Sequence, residues 1–232
     1  MMKNTVTFDD RNSYADFGLV LTDVDIGVPE PKVEEVDVAG ADGSIDLSTV
    51  LTDDIKFKKR KLTFTFEIAG DVFTFPAILS KISNYLHGRT MKVVRECDDE
   101  YYYTGRCTIN QFKTDKRIGK IVIDAIVDPY KMETSPFGDE WLWNSFSFID
   151  GVIYTSSVDV SGSKEVNLPN RRKIVSPMFT TTVNMTVTHN GKSYSLPKGK
   201  TTVLEIRLKE GDNYVTFTGT GKVTIYYDRG SL

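Results

Sequence analysis

The sequence is poor in the residues that most often carry chemistry. In 232 residues there are two cysteines, Cys97 and Cys107, and two histidines, His87 and His189. That set matches no zinc-ligand spacing. If the acidic stretch Asp98-Asp99-Glu100 closes a hairpin, Cys97 lies near its tip and Cys107 near its base. At about 3.3 Å per residue they are roughly 15–20 Å apart, while a disulfide needs Cα atoms within about 7 Å. Two reduced structural thiols are expected. No apolar run approaches the roughly 20 residues of a membrane helix. The start, MMKNTVTFDDRNS, has no apolar core of a secretory signal, so none is expected. G-x-S-x-G, a P-loop, G-x-G-x-x-G and H-E-x-x-H are all missing. Net charge is -3 and pI about 5.5, which argues against non-specific binding to DNA or to anionic membranes. An apolar fraction of 40% and a charged fraction of 26% are ordinary for a globular chain.

What is present is organised around Thr74–Cys107. Ile78, Leu79, Ile82, Tyr85 and Leu86 recur at helical period. Pro76 suits a first turn, and Gly88 a left-handed cap. The spacing predicts a helix over about 76–87. The period then changes to two, so Met91–Cys97 and Tyr101–Cys107 read as strands joined by an acidic turn. Leu62, Phe64, Phe66 and Ile68 alternate with polar residues in the clearest strand of the first half. Val6–Phe8 is a short strand, and Tyr14–Asp25 is an apolar-rich run. Val33, Val36 and Val38 lead into the Gly/Asp-rich loop Ala39–Ser44, and Ile45–Thr52 reads as a strand or a mobile arm. Asn110–Lys113 reads as a link to Arg117–Val127, whose apolar residues on both faces suggest cover on both sides.

Pro129 and the polar run Met132–Pro136 place a domain boundary at 131/132. The remainder reads as strand and turn. Candidate strands are Trp141–Ile149, Gly151–Ser156, Glu165–Leu168, Lys173–Ser176, Phe179–Thr188, Lys192–Leu196, Thr202–Leu208, Asn213–Thr218 and Lys222–Tyr227. Asn190-Gly191 is the strongest hairpin signal, and Thr218–Gly221 reads as another turn.

Several clusters could carry function, and each has a plainer reading. His87 at a helix end suits a cap charge better than a catalytic base. His189, beside a hairpin turn, is expected in solvent. Asp98–Glu100 on a turn lacks the burial that would tune an acid/base pair. Asp42-x-Ser44-x-Asp46 opens like a calcium loop, but Leu47 replaces the glycine that such a loop requires. Lys56–Lys61 could be a nucleic-acid patch; an edge strand guarded by lysines or a subunit contact with acidic partners (Asp53, Asp54, the Asp98–Glu100 tip) fits an acidic chain better. Trp141 and Trp143, with Phe146 and Phe148, suit a sandwich core and, less well, a glycan-facing platform. No metal, cofactor or catalytic set is expected.

The order of these features resembles the distal tail protein (Dit) family of long-tailed phages and prophages. The resemblance rests on the GADGS turn and following arm, KFKKRKLTFTFE, FPAILSKISNYLHGR, MKVVRECDDEYYYTGRC, the junction Ile126–Lys131 and the closing Val223–Leu232. It implies a mainly β chain. Residues 1–131 would form a β-sandwich-like, ring-forming domain with one helix and an arm over about 41–54. Residues 132–232 would form a galectin-like or carbohydrate-binding-module-like β-sandwich. It implies a structural virion protein rather than an enzyme, assembled in the host bacterial cytoplasm. Its hexameric ring would join the tail tube protein to the tail-associated lysin or tip protein, anchor receptor-binding proteins in some members, and pass DNA through its lumen without specific binding or membrane insertion. The arm matches the family segment that reaches a neighbouring subunit. Subunit-interface candidates are therefore Asp42, Gly43, Ser44, Asp46, Lys58 and Arg60. The competing expectation is a module that recognises host cell-surface glycans, with Trp141 and Trp143 as the facing aromatics.

Overall fold

Alternation of apolar and polar residues along Arg60–Ala69 builds the centre of the first half. A computed structural model describes residues 5–40, 42–50, 54–69, 74–114, 118–134 and 157–232. They divide into two units, Met1–Lys131 with Leu232, and Met132–Ser231. The described residues are mainly β with one α-helix, as the sequence implies.

The first unit contains β1 (Val6–Phe8), β2 (Arg11–Asn12), β3 (Val20–Ile26), β4 (Glu35–Asp37), β5 (Ser44–Asp46), β6 (Arg60–Ala69), α1 (Phe75–Leu86), β7 (Thr90–Arg95), β8 (Tyr101–Thr114) and β9 (Ile118–Val127). Seven of them form one curled antiparallel sheet in the order β2-β1-β7-β8-β9-β6-β3. Inward residues of β6 (Leu62, Phe64, Phe66) and of β9 (Ile121, Ile123, Ala125, Val127) are fully buried. On α1, Phe75, Ile82 and Leu86 are buried and Ile78, Leu79 and Tyr85 partly so, in keeping with the helical period. Gly88 takes φ +80°, the left-handed cap its position suggests.

Four expectations are corrected here. Asn110–Lys113 is not a link but part of β8, a 14-residue strand whose register shifts between Ile109 and Gln111. β9 is not covered on both sides, because Ile118 and Ile126 stay exposed. Lys56–Lys61 does not form an edge strand: β6 begins at Arg60 and lies between β9 and β3. The ring of His87, the C-cap residue of α1, is engaged by the sheet instead: its Nδ1 accepts the Ile109 N–H at 3.0 Å. Both cysteines are free thiols, Cys97 exposed and Cys107 buried. Burial pushes the Cys107 thiol up to about 12.

The short strand β10 (Lys131–Glu133) spans the division between the units. The second unit continues with β11 (Ser157–Asn167), β12 (Met178–Thr181), β13 (Met185–His189), β14 (Lys192–Leu196), β15 (Gly199–Thr202), β16 (Tyr214–Tyr226) and β17 (Gly230–Ser231). β16 is its spine. It pairs with β11 along the whole of β11, with β13 through Thr216–Thr218, and with β12 through Val223–Tyr226. Among the described residues fifteen form its buried core, including Phe179, Leu196, Ile206, Phe217 and Ile225. The Glu133 carboxylate is held between Arg171, at 3.0 Å, and Arg229.

The Asn190-Gly191 hairpin forms as read, with φ +50° and +74°. Other readings fail. Thr218–Gly221 is the middle of β16, not a turn. Gly219 lies opposite Gly162, and a Cβ on Gly221 would come 2.7 Å from Val183 Cγ2. Those glycines permit close approach rather than reversal. Phe179–Thr188 is broken by Thr182–Asn184, Thr202–Leu208 leaves the sheet after Thr202, and Lys173–Ser176 contributes one isolated bridge, Val175 to Leu208. His189 is buried at 8% exposure, its Nδ1 3.1 Å from the Tyr214 carbonyl oxygen. Trp141–Ile149 and Gly151–Ser156, with Trp141, Trp143, Phe146 and Phe148, lie outside the described residues, as do Ala41 and Asp53.

Candidate functional site

Between β3 and β6 the chain makes a long excursion. At its base the two limbs are laced together: Gly27 N–H donates to Lys61 O at 2.9 Å, Lys58 N–H to Glu30 O at 2.8 Å, and Lys32 N–H to Lys56 O at 2.6 Å. Pro31 and Phe57 form a bridge. Beyond this ladder β4 and β5 pair with each other alone, as Glu35 to Asp46, Val36 to Ile45 and Asp37 to Ser44. Gly40 and Gly43 at the tip take φ of +85° and +78°. The arm therefore begins a strand earlier than the 41–54 stretch of the sequence reading, and it is a hairpin.

The register sorts its side chains. Directly opposed residues share a face, and successive residues alternate. Val36 and Ile45 share one face with Val38 and Leu47; Glu35, Asp37, Ser44 and Asp46 share the other. The first face is apolar except for Glu34, which lies opposite Leu47 at its end, and the second is acidic. Yet every described residue from Pro31 to Leu47 is exposed, including Val36 at 43% and Ile45 at 52%. A lone two-stranded hairpin is marginal in water. In the single chain this apolar face is left open to solvent.

Local polar contacts set the backbone. Ser44 Oγ donates to Asp37 Oδ1 at 2.7 Å. Asp46 Oδ1 accepts the Ser48 N–H at 2.8 Å, and Ser48 Oγ accepts the Glu34 N–H at 2.8 Å. Hydrogen bonds from Ser48, side chain first and then backbone, hold the Asp46 carboxyl below its usual range. The sign follows: the turn gains support above that range and loses it as pH falls through the lowered value. Asp42 and Gly43 sit at the exposed tip. Among the described residues no acidic cluster could hold a metal ion.

The basic stretch turns out to be matched within its own chain. Lys56 lies 3.6 Å from Asp54, Lys58 3.1 Å from Glu30, Lys59 3.6 Å from Asp128, and Lys61 2.8 Å from Asp124. Asp98 is 2.9 Å from Lys131. These pairs are mostly exposed, so each contributes little to stability, but they remove the net field a nucleic-acid patch would need. Arg60 departs further from the reading. It is 6% exposed, with its guanidinium 4.7 Å from the Tyr103 ring. Burial pulls its pKa down. It is a core residue, not a surface charge. Of the interface candidates, Asp42, Gly43, Ser44 and Asp46 fall on the hairpin, and Lys58 at its base. The exposed apolar quartet Val36, Val38, Ile45 and Leu47 was not among those candidates. The signal was present, as V-x-V and I-x-L on either side of two glycines.

The chain's fold is similar to that of a solved chain described as the SPP1 Dit protein, "a paradigm of hub adsorption apparatus in Gram-positive infecting phages". The likeness covers 97% of this chain and 98% of that one, with a TM-score of 0.65 at 14% sequence identity. No protein-family model and no curated protein sequence matches.

Proposed function

We propose that this chain is a distal tail protein of a long-tailed phage or prophage, a structural subunit of the tail tip. The observation that carries the reading is the end-to-end fold likeness to a hub adsorption protein. The exposed two-faced hairpin supports it, because such a face needs a partner surface and a further copy of the chain supplies one. The copies close into a hexameric ring through a head-to-tail contact. That ring joins the tail tube to the tip proteins and anchors host-adhesion components, with residues 132–232 available for the latter. Its subunits are made in the host bacterial cytoplasm and end in the virion. Self-matched Lys56–Lys61 and the net charge of -3 suit a lumen through which DNA passes without being held. The subunit transforms no substrate. Class averages of the purified protein by electron microscopy test this. The expected images are rings of six-fold symmetry; separate single subunits at micromolar concentration would overturn the reading.

A further inference from the structure

The tip of the β13–β14 hairpin carries a reactive sequence that the tail role leaves unused. Asn190-Gly191 forms its two-residue turn, and the ladder stops at His189 opposite Lys192. Both turn residues are exposed and take positive φ, +50° and +74°. A Cβ on Gly191 would meet nothing within 4 Å, so the space beside that backbone is open. Among the described residues the Gly191 N–H makes no turn or loop hydrogen bond to the backbone. In such an arrangement a main-chain nitrogen attacks the preceding side-chain amide, because glycine puts no side chain in its way.

His189 sets this asparagine apart. Its ring is buried. Nδ1 lies 3.1 Å from the Tyr214 carbonyl oxygen, which only accepts, so Nδ1 carries the ring proton. Nε2 then holds a lone pair, and the atom 3.1 Å from it, Asn190 Nδ2, is the donor. The contact turns the amide nitrogen toward an imidazole, the side chain best suited to pass protons in water. Asn184 gives the contrast. It is exposed too, but Met185 follows it, and its Oδ1 is held by the Lys198 N–H at 2.9 Å.

We infer that Asn190 is a site of intramolecular modification, where the Gly191 nitrogen closes a succinimide and ammonia leaves past His189. The step balances. Gly191 N loses its proton to solvent base and forms a bond to Asn190 Cγ. The Cγ–Nδ2 bond breaks with its electron pair on nitrogen, and His189 Nε2, protonated from solvent, supplies the proton that completes ammonia. Water then adds at either imide carbonyl and leaves aspartate or isoaspartate. Nothing is oxidised or reduced, and water is the only co-reactant. Each event makes the formal net charge one unit more negative than -3. It also removes the N–H that His189 accepts, and isoaspartate adds one main-chain atom to a turn whose length fixes the register. The β13–β14 edge of the second unit therefore loosens as the protein ages.

Tryptic mapping of the full-length protein, aged in neutral buffer, tests it. One peptide, Ile174–Lys192, holds both asparagines, and the same peptide made synthetically gives the reference rate. Asn190 should convert and Asn184 stay intact, with a gain of about 1 Da and two products of equal mass but different retention, aspartate and isoaspartate. His189→Gln keeps a donor for the Tyr214 carbonyl, and His189→Phe keeps the ring volume; neither passes protons, and whichever folds should convert at least about tenfold more slowly. An Asn190 still intact when the synthetic peptide is fully converted overturns the site. So does a single product, aspartate, which marks direct hydrolysis. Conversion of the folded variants at the parent rate overturns the part given to His189. None of this rests on the tail role, so either reading fails or stands alone.

Discussion

The apolar face of the arm gives the sharpest test. Consider the double change Val36→Ser and Ile45→Ser, which removes the central cross-strand pair of the β4–β5 hairpin. In the isolated subunit both side chains are exposed, at 43% and 52%. Their loss should therefore leave the unfolding temperature nearly unchanged. In a ring, each would bury on the order of 65–90 Å² more. At ~25 cal/mol per Å² that is about 1.5–2 kcal/mol per residue before the serine's own contribution is subtracted. A net loss of about 2–3 kcal/mol per joint weakens each contact roughly 30- to 150-fold. Light scattering coupled to size exclusion, run over a dilution series, reads this directly. The variant should fall apart at concentrations where the parent stays assembled. Glu35→Ser, on the acidic face, should behave as the parent does. Equal dissociation of the parent and the double variant would refute the argument, and so would equal disruption by Glu35→Ser.

Further outcomes separate surface from core. Lys58→Glu, at an exposed pair, should shift stability by less than about 1 kcal/mol, whereas Arg60→Ala should cost about 2–3 kcal/mol in chemical denaturation by emptying a buried site packed on Tyr103; similar midpoints for both would contradict the placement of Arg60. Gly105→Ala should be among the most damaging single changes in the first unit, since a Cβ there would overlap the backbone at Ile126 and Val127; denaturation should show a loss of at least about 3 kcal/mol, and a parent-like midpoint would count against the β8–β9 register. A thiol reagent near pH 8 should modify one cysteine in the folded protein and two in denaturant. Cys97 is exposed, and the Cys107 thiol, raised to about 12, stays protonated and buried. Rapid modification of both would show that Cys107 is not in the core.

The legible parts of the fold were those where one local signal settled the matter. α1 had period, proline and cap glycine in register, and the β13–β14 hairpin had Asn-Gly between alternating strands. What escaped reading depended on partners distant in sequence. Thr218–Gly221 has the composition of a turn, yet Gly219 and Gly221 are small because Met185 and Val183 press on them. β8 continues through Asn110–Lys113 because Gln111–Lys113 pair with Lys120–Val122, a match invisible to a local window. The basic run Lys56–Lys61 promised a charged surface. Its partners Glu30, Asp124 and Asp128 lie up to 69 positions away, so the cancellation could not be seen. The acidic tip of the arm was legible by composition. Its apolar face was not, because only the β4–β5 register puts Val36 and Val38 beside Ile45 and Leu47.

The proposed function of this chain rests on its self-association, and the mass of the purified particle in solution measures that with the fewest assumptions. Six copies of a 26.1 kDa chain give about 157 kDa. Native mass spectrometry at micromolar concentration should return that mass. A single species at 26.1 kDa that persists as the protein is concentrated would contradict the account.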